Sequence, residues 1–172
     1  MLIANSGVTE PNPQFLFHPP APVPDNLEEI RETLWFISEE DFSFVLQTNV
    51  MGNYYTVVVF LPLLDAANKR QQPSTPGMIP PLRAQVIVTS SIAAWIRVAY
   101  PSLPYIVSKA ALTQMVKTLS TTFAPHGIRV NGIAPGVYAA EHISNIYGDF
   151  EQITSYGSIS KNLIPLTRTG GI

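Results

Sequence analysis

Cysteine is absent from these 172 residues. Its absence removes disulfide frameworks, thiolate metal sites and a cysteine nucleophile together, and it fits a reducing compartment. Charge is scarce as well: Asp, Glu, Lys and Arg make up 13% of the chain, with a net charge of −2. No basic stripe exists, so nucleic acid is not an expected partner. The three histidines, His18, His126 and His142, stand too far apart in sequence to suggest a metal site. No apolar run reaches the roughly 20 residues that a membrane span needs, and the longest candidate, Tyr54 to Leu64, is interrupted by Pro62. The first residues lack a basic segment followed by an apolar core, so no signal peptide is expected and the chain reads as cytoplasmic.

What is present is apolar. Hydrophobic residues reach 46%, which predicts surface covered by a partner subunit, a ligand or further chain. Residues 1–172 fit a single domain with a substantial core. The stretch from Ala84 to Gly136 organises it. Ala84-Gln-Val-Ile-Val-Thr-Ser-Ser91 is a β-branched run ending in two hydroxyls, and a helical segment from Pro104 to about Phe123 follows it. Pro125-His-Gly127 stops that helix, and Gly127 to Gly136 carries the next strand. Strand, crossover helix and strand form a βαβ unit, hence an α/β fold with a parallel sheet.

Elsewhere the reading is coarser. Leu2–Ala4 is a short buried strand leaving through the Asn5-Ser-Gly7 turn. A chain that opens inside a strand looks cut. Six prolines make residues 11–24 a loop, and four more do the same for 71–82. Asp25-Asn-Leu-Glu28 has capping-box spacing and starts a helix to about Phe36, and Ser38-Glu-Glu-Asp41 resembles a second start. Apolar residues three and four apart beyond Val50 predict a long helix to about Ala67, with Lys69 and Arg70 suiting its end. Tyr138 to Asn145 is a candidate short helix.

Four residues make one chemical proposal. Tyr105 and Lys109 lie four apart, so on a helix they share a face, about 6 Å apart along the axis. An ammonium beside a phenol stabilises the phenolate, and use of the tyrosine near neutrality asks for roughly 3–4 kcal/mol of such help. Tyr105 would then move a proton at a carbinol or carbonyl oxygen. Ser91, just beyond a strand's carboxyl end, would hold that oxygen. Asn49, near the start of the long helix, would hold a water against Lys109. With seven tyrosines a Tyr-x-x-x-Lys alone arises easily by chance. The order and spacing of all four residues carry the information.

Those blocks resemble the short-chain dehydrogenase/reductase family. Asn5-Ser-Gly7 is similar to its Asn-Asn-Ala-Gly turn, and Asn49-Val-Met-Gly52 to the segment bearing its catalytic asparagine. Thr89-Ser-Ser91-Ile-Ala resembles the catalytic serine block, with Ser91 the first choice and Ser90 the alternative. Tyr105-Ile-Val-Ser-Lys109 with Ala110-Ala-Leu matches the signature helix, and Ile128-Arg-Val-Asn131 and Pro135-Gly136 follow at the family's distance. The resemblance implies a Rossmann-type doubly wound parallel sheet with flanking helices, here in part, with about three to four strands. It implies an oxidoreductase moving hydride between NADP or NAD, NADP favoured, and a small carbonyl/alcohol pair. Asn49, Ser91, Tyr105 and Lys109 would be catalytic. Asn5, Ser6, Gly7, Tyr105, Lys109, Pro135, Gly136 and Val137 would meet the coenzyme. It also implies a homo-oligomer through helices 49–67 and 105–123. Ala134 to Glu141 and Leu63 to Lys69 resemble rhamnolipid-type 3-oxoacyl reductases, which suggests an acyl substrate.

The sequence departs from the family in three ways. No Thr-Gly-x-x-x-Gly-x-Gly turn occurs, so the amides that meet a pyrophosphate at a helix N-terminus are missing, with the whole N-terminal βαβαβ part. Ala140 stands where many members have Thr or Ser, and Ile172 comes before the family's last strand. Hence a second expectation from a different class: a truncated, inactive chain that serves only in subunit interaction.

Overall fold

The computed structural model describes residues 1–9, 26–71, 77, 81–97 and 102–136. The proline-rich stretch 11–24, most of the 71–82 loop, Val137, Ala140, His18, His142 and the helix expected at 138–145 lie outside the described residues.

Three strands form the sheet: β1 (Leu2–Ala4), β2 (Gln85–Thr89) and β3 (Arg129–Ile133), in that spatial order and all parallel. Leu2 pairs with Val86 and Val86 with Val130, so Leu2, Ala4, Val86, Val88 and Val130 share one face. Helices α3 (Asn53–Lys69) and α4 (Leu103–Phe123) supply the partners for that face: Val57 and Leu64 from α3, Leu112 and Leu119 from α4. Over β3, α4 comes so close that a Cβ on Gly132 would meet Val116 at 3.5 Å. The sheet's other face carries Ile3, Ile87 and Ile133, with Ile3 and Ile133 at least half exposed. Among the described residues this is a three-strand core of an open parallel sheet, within the three to four strands the sequence implied.

The long helix starts earlier than its apolar spacing predicted. Ser38 caps α2 (Glu39–Leu46) by accepting from the Asp41 amide, and three acidic residues fill the first turn. Helical structure then continues to Lys69 as one 31-residue run, passing through a π-helical turn at Gln47–Gly52. By length and composition alone this run passes a membrane-span test. Its inner face argues for the α/β layer instead: Asn53, Val57, Leu64 and Asn68 are all buried, the apolar pair against the sheet. Its outer face carries Met51, Tyr55, Val59 and Leu63, all about half exposed or more. The apolar stripe thus divides between core and surface.

The short helix α1 (Leu27–Trp35) is capped by Asn26, whose Oδ1 accepts from Glu28 N, and the Glu28 carboxylate turns to Arg31. The cap therefore falls one residue later than the expected Asp25, and Glu28 does not close a capping box. Helix α4 begins at Ser102, whose Oγ accepts from Tyr105 N. Gly127, at φ 65°, makes the left-handed exit into β3. At this end Asn68 ties three segments: its Nδ2 donates to the carbonyls of His126 and Gly127, and its Oδ1 accepts from Ala84 N.

Candidate active site

The carboxyl ends of all three strands converge at the other edge of the sheet, where open parallel sheets bind ligands. β2 and β3 stay paired beyond their last residues, through Ser90 N to Ile133 O and Ile92 N to Pro135 O. Ser91 and Pro135-Gly136 are thereby held side by side, and a Cβ on Gly136 would come within 3.9 Å of Ile92.

Tyr105 occupies the third position of α4, its N–H held by the Ser102 cap, and lies near Ser91, whose hydroxyl favours the phenolate. Lys109, one turn on, is 5% exposed, donates from Nζ to Thr89 O at 3.0 Å, and lies 5.5 Å from the Tyr105 ring centroid. The two adjacent serines differ. Ser90 points into the protein, 3.1 Å from Lys109 O and 2.7 Å from Thr113 Oγ1. Ser91 points to the phenol while accepting from Ala93 N.

Charge behaves differently from the expectation of a phenol acidified by its neighbour. Burial lifts the Tyr105 phenol above its ordinary value of 10.0, and the Ser91 hydrogen bond draws it only partly back. Burial likewise lowers the Lys109 ammonium below 10.5. Desolvation is the larger effect in both groups, while Lys109 Nζ lies 5.5 Å from the ring centroid and donates to Thr89 O.

Asn49 sits within the π turn, fully buried. Its Oδ1 accepts from Val8 N at 2.7 Å, and its Nδ2 donates to Val8 O and to Ser108 Oγ, both at 2.9 Å. Ser108 Oγ donates in turn to Tyr105 O. Both amide hydrogens are thus committed to protein, so the carboxamide ties the β1 turn to the start of α4. Between the tied residues, Gly7 comes so near Lys109 that a Cβ on it would sit 3.3 Å from Nζ. Asn5 and Ser6 lie in the same turn, with the Ser6 carbonyl held by Asn53 Nδ2 at 2.8 Å.

Comparison with known proteins agrees with this layout. A family model described as enoyl-(acyl carrier protein) reductase matches residues 15–171, nearly the whole chain. The chain belongs to the short-chain dehydrogenase/reductase family. It is 40% identical over 148 residues to the short-chain dehydrogenase/reductase SAT3 of Stachybotrys chartarum, covering 82% of this chain and 52% of that one. To PhomF of Diaporthe leptostromiformis it is 34% identical, covering 99% of this chain and 54% of the relative. The chain therefore spans about half the length of these curated relatives. Among solved structures, the fold is similar to a 3-oxoacyl-[acyl-carrier protein] reductase from Brucella melitensis in complex with NAD (TM-score 0.68, 18% identity, 99% of this chain and 54% of that). It is also similar to Pseudomonas aeruginosa RhlG in an NADP complex (TM-score 0.66, 23% identity, 98% and 53%).

For a short-chain dehydrogenase/reductase, the residues present fit one end of a nicotinamide coenzyme. Gly7 leaves a space beside Lys109 that any Cβ would fill, and Tyr105, Lys109, Pro135 and Gly136 border the same strand ends. Three site residues escaped the sequence reading: Ser102, Ser108 and Asn53. Ser102 was legible as Ser-x-Pro ahead of an apolar run; Ser108 and Asn53 carried no signal beyond lying next to, or one turn from, a candidate.

Proposed function

We propose that this chain carries the reacting end of an NAD(P)-dependent oxidoreductase that interconverts a carbonyl and an alcohol. The observation that carries the reading is the convergence of Ser91, Tyr105 and Lys109 at the strand ends, with Lys109 5.5 Å from the Tyr105 ring centroid. When bound, the coenzyme supplies or accepts the hydride. The chain's own groups manage the oxygen. Ser91 orients it, and Tyr105, kept protonated at neutrality by burial, gives it a proton in the reducing direction. As charge develops on the ring, an ammonium 5.5 Å away stabilises it by about 3 kcal/mol at an effective dielectric of about 20. Asn49 acts through Val8 and Ser108 on the placement of both partners.

NADP is the preferred coenzyme to try first, since the neighbours include RhlG with NADP and ElxO with NADPH. A 3-oxoacyl compound is the first substrate to offer, supported by the segment resemblances at 63–69 and 134–141 and by the 3-oxoacyl reductase among the structural neighbours. The test is Tyr105→Phe: turnover should fall by two to four orders of magnitude, roughly the worth of a positioned acid–base group. Turnover equal to the wild type's would remove Tyr105 from the reaction.

A homo-oligomer fits the same reading. Tyr55, Val59 and Leu63 leave one face of α3 apolar and exposed, and Val59 is 70% exposed. Val59→Glu should shift the sedimentation profile towards a smaller species; an unmoved profile speaks against this face. The alternative, a chain that only binds subunits, is favoured by the half-exposed Ile3 and Ile133 on the second sheet face. Titrating NADPH fluorescence separates the two: stoichiometric binding refutes the alternative, and no binding refutes the first reading for this chain.

A further inference from the structure

Two asparagines one helical turn apart reach from the long helix into the turn after β1. Asn49 holds Val8, as described. Asn53, 1% exposed, donates from Nδ2 to Ser6 O at 2.8 Å and to Asn49 O at 2.6 Å. The amide orientation is fixed, because exchanging its oxygen and nitrogen would aim an acceptor at two carbonyl oxygens. Its Oδ1 is buried too, and meets no donor among the described residues. A buried acceptor without a donor is unfavourable, and a valine of similar bulk would avoid it. An asparagine here makes sense if its two donated bonds do something that packing does not.

We propose that Asn53 is a positioning residue that staples the Ser6 carbonyl to the Asn49 carbonyl and so fixes Gly7 beneath the Lys109 ammonium. The π turn makes this geometry available. In such a turn the backbone pattern lengthens from i→i+4 to i→i+5, and here the side chain at position i+4 reaches the Asn49 carbonyl. Ser6 is then held by Asn53 and Val8 by Asn49, and the residue between them, Gly7, faces Lys109 with no spare room for a Cβ. Loss of the staple frees one side of Gly7 while leaving Asn49's own three bonds in place. The consequence for coenzyme rests on the oxidoreductase reading above; the staple itself does not.

The test compares the full chain with Asn53→Val by hydrogen–deuterium exchange without coenzyme, alongside thermal melting and NADPH titration. The expected result is exchange at residues 6–8 faster by roughly tenfold, the scale of one or two lost buried hydrogen bonds, with β2 and α4 unchanged. The melting temperature should move little, since losing two donors and relieving an orphaned acceptor oppose each other. NADPH should bind roughly tenfold more weakly. Exchange unchanged at residues 6–8, or quickened equally through β2 and α4, overturns the staple. If Asn53→Val does not fold, the wild type decides: the Asn53 side-chain amide protons should exchange at least tenfold more slowly than those of exposed Asn5, and equal rates overturn the proposal. A wild type that binds no NADPH counts against the oxidoreductase reading, and the exchange data still decide the staple.

Discussion

Ser90 and Ser91 are adjacent, chemically identical and equally placed in the sequence, yet the structure gives them opposite work, and alanine at each should separate stability from catalysis. Ser90 is 5% exposed and lies 3.1 Å from Lys109 O and 2.7 Å from Thr113 Oγ1. Removing its hydroxyl leaves nothing orphaned, because Thr113 Oγ1 still donates to Lys109 O at 2.9 Å. The loss is therefore the net worth of one or two buried hydrogen bonds, about 1–2 kcal/mol. For a chain of this length that lowers the melting temperature by roughly 3–6 °C. Ser91 caps only a three-residue 3-10 turn, at Ile92–Ala94, so Ser91→Ala should cost less than about 1 kcal/mol. Its hydroxyl lies by the Tyr105 phenol, where it favours the phenolate. Loss of a preorganised donor at a reacting oxygen typically lowers turnover by about 10²–10³-fold. Thermal melts and steady-state reduction of a carbonyl panel with NADPH give both readouts. A crossed result, with Ser90→Ala inactive at an unchanged melting temperature, would refute the assignment of roles. So would full activity in Ser91→Ala.

Gly7→Ala would set a Cβ 3.3 Å from Lys109 Nζ and 3.7 Å from Asn49 Oδ1. It should leave the melting temperature nearly unchanged while lowering turnover by about three- to tenfold, because Lys109 must shift by a few tenths of an ångström; kinetics equal to the wild type's would remove the close approach from the mechanism. The Lys109 ammonium, depressed by burial, predicts a linkage. Between its folded value and its ordinary 10.5 the unfolded chain binds more protons, so stability rises with pH across that window and is lost again as pH falls through the folded value. Denaturant unfolding from neutral pH to pH 10 should show the wild type gaining on Lys109→Met, and parallel curves would contradict a desolvated amine. The raised Tyr105 phenol adds an opposite slope only above pH 10, outside this range.

Periodicity carried the fold a long way. The β2–α4–β3 unit was legible because a β-branched run, an amphipathic segment and a glycine exit each obey a local rule. Tyr105 and Lys109 were legible as a pair because a spacing of four fixes a shared helix face. What escaped was set by tertiary structure. Nothing local marks Gln47–Gly52 as a π turn, since the extra residue is stabilised by what Asn49 and Asn53 reach across the fold. The direction of the Tyr105 shift was unreadable for the same reason: sequence gives a neighbour's charge, but the depth of burial and the angle of approach decide which effect wins. Asp25 and Asn26 are both good caps, and only the chain's path chose Asn26.

The strand beside this site is the shortest among the described residues: β1 has three residues and pairs there with β2. Ordering each of its residues, and those of the turn behind it, costs about 1–2 kcal/mol of backbone entropy, while only Ala4 is fully buried in return. Its ladder with β2 and that small patch of core are a thin basis for holding Gly7 within a few ångströms of Lys109. The difference is made up by side chains from the long helix: Asn49 bonds both the N–H and C=O of Val8, and Asn53 bonds the carbonyl of Ser6. Lys109 is anchored independently, through Thr89 O on the central strand. The catalytic helix and β2 should therefore keep their structure when the β1 turn opens, and the site should fail first where Gly7 meets Lys109. The asparagines bring to that meeting a precision that a three-residue strand does not supply.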